Sequence, residues 1–136
     1  MLKKIFPFLF IISIAVSCSG PANSYPETSV EVATAFIRST LKNDINEAKK
    51  YIIPDDENQQ LLNDYSRWYS RQNKTKADAF KAAEVLIYET ETVVPDSVDI
   101  IYYSNTSEQN IKNKLKLVRS NNKWQVDFKY TVSGNL

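Results

Sequence analysis

The sequence predicts an α+β domain, because the spacing of its apolar side chains changes once along the chain. Up to residue 84 they recur every three or four positions, as on one face of an amphipathic helix. Beyond residue 84, short runs rich in β-branched and aromatic residues alternate with polar residues and are separated by turn residues. A block of helices followed by a block of strands, with no internal repeat, indicates helices packed on one face of an antiparallel sheet.

Two capping signals and a proline set the predicted helix boundaries. Thr28 and Asp44 are each followed three residues later by a glutamate, so a first helix and a short second helix begin there. Pro54 ends the second helix, and the acidic residues 55–57 begin a third at the end where the helix dipole favours negative charge. Residues 75–83 fit either a further helical turn or the start of a strand. The buried face of the third helix is predicted to carry Leu61, Leu62, Tyr65, Trp68 and Tyr69.

Four strands are predicted from the second half of the chain. Pro95 lies in a turn signal between the first two strands. Asn121 and Asn122 make a tight connection between the last two, because asparagine tolerates a positive φ better than most residues. The strands cover residues 85–93, 98–103, 111–117 and 124–130.

The N-terminal segment has the features of a secretion signal. Residues 1–4 carry two lysines, and residues 5–16 form an apolar run shorter than a spanning helix needs. The small residues Ala15 and Ser17 precede Cys18, which is the only cysteine of the chain. The alternative is an ordinary secretory peptide, but it would leave an unpaired reactive thiol on an exported protein. We therefore expect Cys18 to be modified.

This segment resembles the lipobox of bacterial lipoproteins, whose cysteine receives a diacylglyceryl group before cleavage. The resemblance implies a signal peptide over residues 1–17, a lipidated Cys18 with a tether over residues 18–27, and a domain over residues 28–136. It implies a lipid anchor in the cell envelope of a Gram-negative bacterium. Ser19 replaces the aspartate that is linked to inner-membrane retention, which implies the outer membrane, with the domain facing the periplasm.

The domain resembles the nuclear transport factor 2-like superfamily, to which ketosteroid isomerase and scytalone dehydratase belong. It is more closely similar to small bacterial lipoproteins of that fold, which have a domain of unknown function and are in some cases described as lumazine-binding. The resemblance implies a cone in which N-terminal helices pack on a curved antiparallel sheet. The segments on which the resemblance is based include a turn with lysine and asparagine after the first helix and a Lys-Trp pair at the start of the last strand. They are residues 32–36, 41–44, 47–51, 115–118 and 123–127.

Composition excludes several classes of function. The chain has no histidine, which excludes imidazole catalysis and most zinc sites, and two glycines, which disfavour a glycine-rich phosphate loop. The net charge is +1, and removal of Lys3 and Lys4 with the signal leaves about −1, which argues against a nucleic-acid partner. We predict no metal, no cofactor and no catalytic residue.

The predicted function is a non-enzymatic domain that binds a small molecule or a protein partner beside the membrane. A homodimer through the exposed sheet face is a second possibility, since relatives of this fold often pair that way. The alternative is an isomerase- or dehydratase-like enzyme that uses a carboxylate and tyrosines. Aromatic rings could line a pocket or simply fill the core. The candidate pocket residues are Tyr65, Trp68, Tyr69, Tyr88, Tyr103 and Trp124.

Overall fold

Helices occupy the first half of the domain and strands the second, which confirms the α+β prediction. The computed structural model describes residues 24–132, so the predicted signal peptide and Cys18 lie outside the described residues. The helices are α1 (Ser29–Leu41), α2 (Ile45–Ala48), α3 (Asp56–Ser70), α4 (Lys74–Ala82) and α5 (Phe128–Val132). The strands are β1 (Val85–Val94), β2 (Val98–Asn105), β3 (Asn113–Ser120) and β4 (Lys123–Asp127). They form an antiparallel meander in the order β1-β2-β3-β4.

The predicted caps begin α1 and α2. The Thr28 hydroxyl accepts a hydrogen bond from the Glu31 backbone N–H at 3.2 Å, and the Glu31 carboxylate accepts from the Thr28 N–H at 3.1 Å. This reciprocal pair satisfies two backbone donors at the helix start. Asn43, with φ of 54°, ends α1, and Asp44 caps α2 through the Glu47 N–H. Local sequence therefore accounts for where these helices begin. The predicted end of the second helix at Pro54 is wrong, because α2 ends at Ala48 and Ile52 pairs with Val126 of β4 instead.

The helix α4 resolves the ambiguous segment at residues 75–83 as helical. Its N-cap is Asn73, whose side chain accepts from the Lys76 N–H at 2.8 Å. Phe80 on α4 is buried, and its ring lies 6.0 Å from that of Tyr69 on α3. The cap begins the helix, and the packing of α4 on α3 removes Phe80 from water.

The predicted buried face of α3 is wrong at one position. Leu62 and Tyr69 are buried, whereas Trp68 is 42% exposed. Successive helical residues lie about 100° apart, so Trp68 stands at the flank of the stripe that Leu62 and Tyr69 centre. Its ring instead lies 6.1 Å from that of Phe80. Trp68 is therefore a rim residue between α3 and α4.

Several strand boundaries differ from the prediction by one to three residues, and β2 and β3 run on to Asn105 and Ser120, beyond their predicted ends. β4 ends at Asp127, and the chain turns into α5 because the Lys129 N–H donates to the buried Asn58 side chain at 2.8 Å. Phe128 still enters the core, as its alternation with Val126 implied. The third strand begins at Asn113, so the predicted residues 111 and 112 belong to the preceding loop.

The core lies between the helices and the inner face of the sheet. Fully buried side chains of α1 and α3 meet those of β2, β3 and β4, burying apolar surface at roughly 25 cal/mol per Å². Ile52 forms a parallel bridge with Val126 and covers the β4 edge, where an unpaired strand would otherwise expose its backbone. The largest fully buried apolar side chains are Val32, Phe36, Ile37, Ile52, Leu62, Ile101, Leu115, Leu117 and Val126.

The segment before α1 is fixed to the far end of the sheet. The Tyr25 hydroxyl donates to the Trp124 carbonyl at 2.5 Å, and the Lys123 ammonium lies 4.3 Å from the centre of the Tyr25 ring. Burial raises the pKa of Tyr25 to about 12. The chain thus enters the domain beside β4. Among residues 24–132, no helix combines the length and the apolar character that crossing a membrane requires.

Candidate functional site

A cavity of about 190 Å³ lies between the helices and the sheet, and we call it the helix–sheet cavity. The C-terminal half of α1, the helices α3 and α4, the strand β2 and the loop of residues 106–112 contribute to its walls. Its aromatic lining residues are Phe36, Tyr65, Trp68, Phe80, Tyr103 and Phe128. The remaining lining residues are Ile37, Thr40, Leu41, Asn105, Glu108 and Asn113.

Secondary-structure periodicity places these side chains together. On α1 the lining residues recur at four-residue spacing, and on α3 Tyr65 and Trp68 are three residues apart, so each set shares one helix face. On β2, Tyr103 and Asn105 are two residues apart and both point to the inner face of the sheet. Three elements therefore converge on one concavity.

The two cavity tyrosines have different hydrogen-bonding states. The Tyr65 hydroxyl donates to the Thr40 carbonyl at 3.2 Å, and burial together with Tyr103 and Tyr69 raises its pKa well above the usual value. Within residues 24–132 no partner accepts a hydrogen bond from the Tyr103 hydroxyl. Burial raises the pKa of Tyr103 to about 12, so the hydroxyl keeps its proton at neutral pH. Tyr103 therefore offers the cavity an unused donor.

Asn105 adds a second donor from the same strand. Its side chain is buried, with 6% of its surface exposed. The Oδ1 atom accepts from the backbone N–H groups of Ser107 at 2.9 Å and Glu108 at 3.1 Å. These bonds hold the loop of residues 106–112 and fix which way the amide points. Its Nδ2 group has no hydrogen-bond acceptor among the described residues.

An ion pair lies at the rim of the helix–sheet cavity. The Lys76 ammonium is 3.6 Å from the Glu108 carboxylate and joins α4 to the loop of residues 106–112. The same ammonium lies 5.4 Å from the Trp68 ring centre and 5.3 Å from that of Phe80. Both charged side chains are partly exposed, so the pair contributes little to stability. Glu108 is the one carboxylate among the residues that line this cavity.

Three of the six candidate pocket residues line the cavity, namely Tyr65, Trp68 and Tyr103. Tyr69 is buried behind them and donates to the carbonyls of Leu41 at 2.9 Å and Ala77 at 3.2 Å, so it links α1 to α4.

The other two candidates lie elsewhere. Tyr88 is 49% exposed, and its hydroxyl lies 2.6 Å from that of Ser104, away from the core side of the sheet. Trp124 is buried on β4, with the Arg119 guanidinium 5.9 Å from its ring centre. Neither ring lines the helix–sheet cavity.

Sequence reasoning missed several lining residues. Phe36 and Phe128 follow the apolar periodicity of core residues, which does not distinguish a cavity wall from a filled core. Phe80 lay in the ambiguous segment, and the cap signal at Asn73 could have placed it on a helix. Glu108 carried no signal, because its position depends on how the loop after β2 folds back.

A second, shallower concavity of about 500 Å³ lies on the opposite side of the sheet, and we call it the outer sheet face. The Tyr102 hydroxyl donates to the Glu91 carboxylate at 2.7 Å, and the Lys114 ammonium lies 5.5 Å from the Tyr102 ring centre. The outer sheet face is formed by Glu91, Val93, Val98, Ile100, Tyr102, Lys114, Lys116 and Tyr130.

Within residues 24–132, no three acidic, histidine or cysteine side chains are grouped in a way that could hold a metal ion. No protein family, curated protein or solved structure matches this chain.

Proposed function

We propose that this chain is a lipid-anchored envelope protein of a Gram-negative bacterium whose domain binds a small molecule in the helix–sheet cavity. The domain is proposed to be a nuclear transport factor 2-like cone. The observation that carries the proposal is the cavity itself, which combines aromatic walls with two unused hydrogen-bond donors, Tyr103 and Asn105. Binding sites for small molecules typically join mostly apolar walls to a few placed polar groups.

The arrangement of layers supports the cone. Helices cover one face of an antiparallel meander, and a register irregularity between Ile87 and Glu89 interrupts the β1–β2 ladder. Such bulges bend the strand that carries them and increase local twist. A bent sheet with helices across one face encloses a cavity, as a cone requires.

Binding is better supported than catalysis. Acid–base chemistry on a substrate needs a carboxylate within hydrogen-bond reach of the reacting proton and with a tuned pKa. Glu108 is the carboxylate of this cavity, but it lies on a loop at the rim and pairs with Lys76. The isomerase- or dehydratase-like alternative therefore has tyrosines without a suitably enclosed base.

The proposed anchor would hold the domain close to the membrane. Tyr25 is fixed to β4, and it lies seven residues after Cys18. Seven residues of fully extended chain span at most about 25 Å. We propose the outer membrane, with the domain on the periplasmic side, on the lipobox-like sequence and on Ser19.

The cavity proposal is tested by screening small molecules and locating those that bind. A ligand that binds the native state raises the temperature of the thermal transition. At a ligand concentration of 100 times the Kd, the free energy of unfolding increases by about 2.7 kcal/mol. When such a ligand binds, we expect the protein amides whose NMR signals shift to cluster on the C-terminal half of α1, on α4 and on the loop of residues 106–112. Replacing Trp68 with alanine should weaken binding by about tenfold, because one aromatic wall is lost.

The control for Trp68 is Val93→Ala. Both side chains are apolar and exposed, but Val93 belongs to the outer side of the sheet, away from the cavity, and has no contact with the loop of residues 106–112 among the hydrogen bonds and ring contacts of the described residues. We expect its replacement to leave ligand affinity unchanged. The proposal would be contradicted if the shifted amides lay on the outer side of the sheet, or if both variants lost the same amount of ligand affinity.

A second candidate function is homodimerisation through the outer sheet face. The register aligns Glu89, Tyr102 and Lys114 in one row across β1, β2 and β3. A two-fold axis parallel to β2 would place β1 of one copy over β3 of the other at the same level. Glu89 would then face Lys114 of the second copy, and the apolar side chains of β2 would pack on each other. The surface is self-complementary in charge, as a two-fold interface requires.

Charge exchange tests the dimer. In analytical ultracentrifugation, Glu89→Lys should weaken the dimer by about tenfold or more, because like charges would face each other. Adding Lys114→Glu to the same chain should restore association, since the exchanged charges again face opposite ones. A monomeric wild-type protein at high concentration, or a double variant no better than the single one, would refute this interface.

A further inference from the structure

The size of the helix–sheet cavity limits its ligand to one ring. A dry apolar cavity of about 150 Å³ is enough to hold benzene, whereas drug-sized ligands occupy roughly 300–1,000 Å³. At about 190 Å³, this cavity has room for a six-membered ring and a small substituent. The Trp68 ring centre lies 5.5 Å from that of Tyr65 and 6.1 Å from that of Phe80. These three rings pack on one another and form one continuous aromatic wall, against which a planar ring can stack.

The polar groups of the cavity call for an acceptor on the ligand. The Tyr65 hydroxyl is already engaged by the Thr40 carbonyl, whereas the Tyr103 hydroxyl and Asn105 Nδ2 have no acceptor among the described residues. Both belong to the inner face of β2, two residues apart. Because neither donor is used within the described part of the protein, a ligand oxygen that reaches them can accept hydrogen bonds from both without displacing a protein partner.

The charges at the rim favour a neutral ligand. Glu108 and Lys76 pair with each other, so they supply no net charge to the cavity. A carboxylate ligand would be buried without a free counter-ion, at a substantial cost. A ligand with an ammonium group would have to compete with the Lys76 ammonium for Glu108, which is the one charged residue of the lining.

We propose that the helix–sheet cavity takes a neutral molecule with one planar six-membered ring and a carbonyl oxygen, which accepts hydrogen bonds from Tyr103 and Asn105. This assignment rests on the proposed function of the cavity and adds the chemical class of its ligand. Tyr103 acts as the specificity-determining donor.

Three probes and two variants test the assignment. Acetophenone has the ring and the carbonyl, isopropylbenzene has nearly the same shape without an acceptor, and benzoate replaces the carbonyl group with a carboxylate. Each is titrated into the protein and followed by amide NMR shifts. Tyr103→Phe removes only the hydroxyl, and Tyr102→Phe is the matched control on the other face of the same strand.

We expect acetophenone to bind more tightly than either other probe. Tyr103→Phe should weaken acetophenone binding by about three- to tenfold, the effect of one neutral hydrogen bond, and leave isopropylbenzene unchanged. Tyr102→Phe should change neither. If isopropylbenzene or benzoate binds in the cavity as tightly as acetophenone, the assignment is wrong while the cavity remains a binding site. If all three probes and a broad screen produce no shifts at the cavity, the proposed function fails as well. The comparison of probes on the wild-type protein decides the matter even if a variant does not fold.

Discussion

Replacing Phe36 with alanine is expected to lower the free energy of unfolding by about 3–5 kcal/mol, as for other buried phenylalanines. Phe36 is 1% exposed and lies on the face of α1 that packs against the sheet. Its ring centre is 5.4 Å from that of Phe128 in an edge-to-face arrangement, which stabilises the pair beyond the buried area. The total free energy of unfolding of a small domain is about 5–15 kcal/mol, so this loss would remove a large share of the stability.

Urea unfolding of the purified protein measures the effect. Phe36→Leu retains most of the volume and should cost much less than alanine, and Val93→Ala, at a 53% exposed position, should stay within about 0.5 kcal/mol of wild type. A double-mutant cycle of Phe36→Ala with Phe128→Ala should give a coupling of about 0.5–1.5 kcal/mol. A cost below about 1 kcal/mol for Phe36→Ala would show that this ring is not part of the core.

The Phe36–Phe128 contact also shows where sequence reasoning reaches its limit. The start of α1 was predictable, because its capping box involves residues three apart. The end of β4 was not, because the chain turns there so that Lys129 can donate to Asn58, which lies 71 residues before Lys129. Alternation alone continued the strand through Phe128. The inward direction of Phe128 was correct, but the backbone that carries it is helical.

The candidate site was predictable in part for the same reason. Periodicity placed Tyr65 on the inner stripe of α3, and Tyr103 on a strand of known alternation. Tyr88 was harder to place, because both faces of β1 carry apolar residues and either could have been the inner one. Asn105 gains its role from the loop it holds, through hydrogen bonds to Ser107 and Glu108. Such contacts depend on tertiary structure, which a single sequence does not display.

Replacing Cys18 with serine is expected to abolish acyl labelling and to move the protein from the membrane fraction to the soluble fraction. The physical reason is that each buried methylene contributes about 0.8 kcal/mol to membrane binding, so several acyl chains make anchoring stable. Serine has nearly the same size as cysteine but lacks the thiol that receives the lipid. Metabolic labelling with a fatty acid, followed by membrane fractionation, measures both effects.

The same substitution should leave the domain intact, and this separates the anchor from the fold. Tyr25 holds the chain to β4 before α1 begins, and the core contacts described join residues of the domain to one another. We expect the thermal transition of the released protein to match that of the lipidated protein in detergent. Ser24→Ala, in the tether but outside the lipobox-like sequence, is the matched control and should remain labelled and membrane-bound. Labelling and membrane association that persist in Cys18→Ser would show that the cysteine is not the anchor. The proposal that the domain is held at the outer membrane by a lipid would then lose its basis, whereas ligand binding would stand on its own measurements.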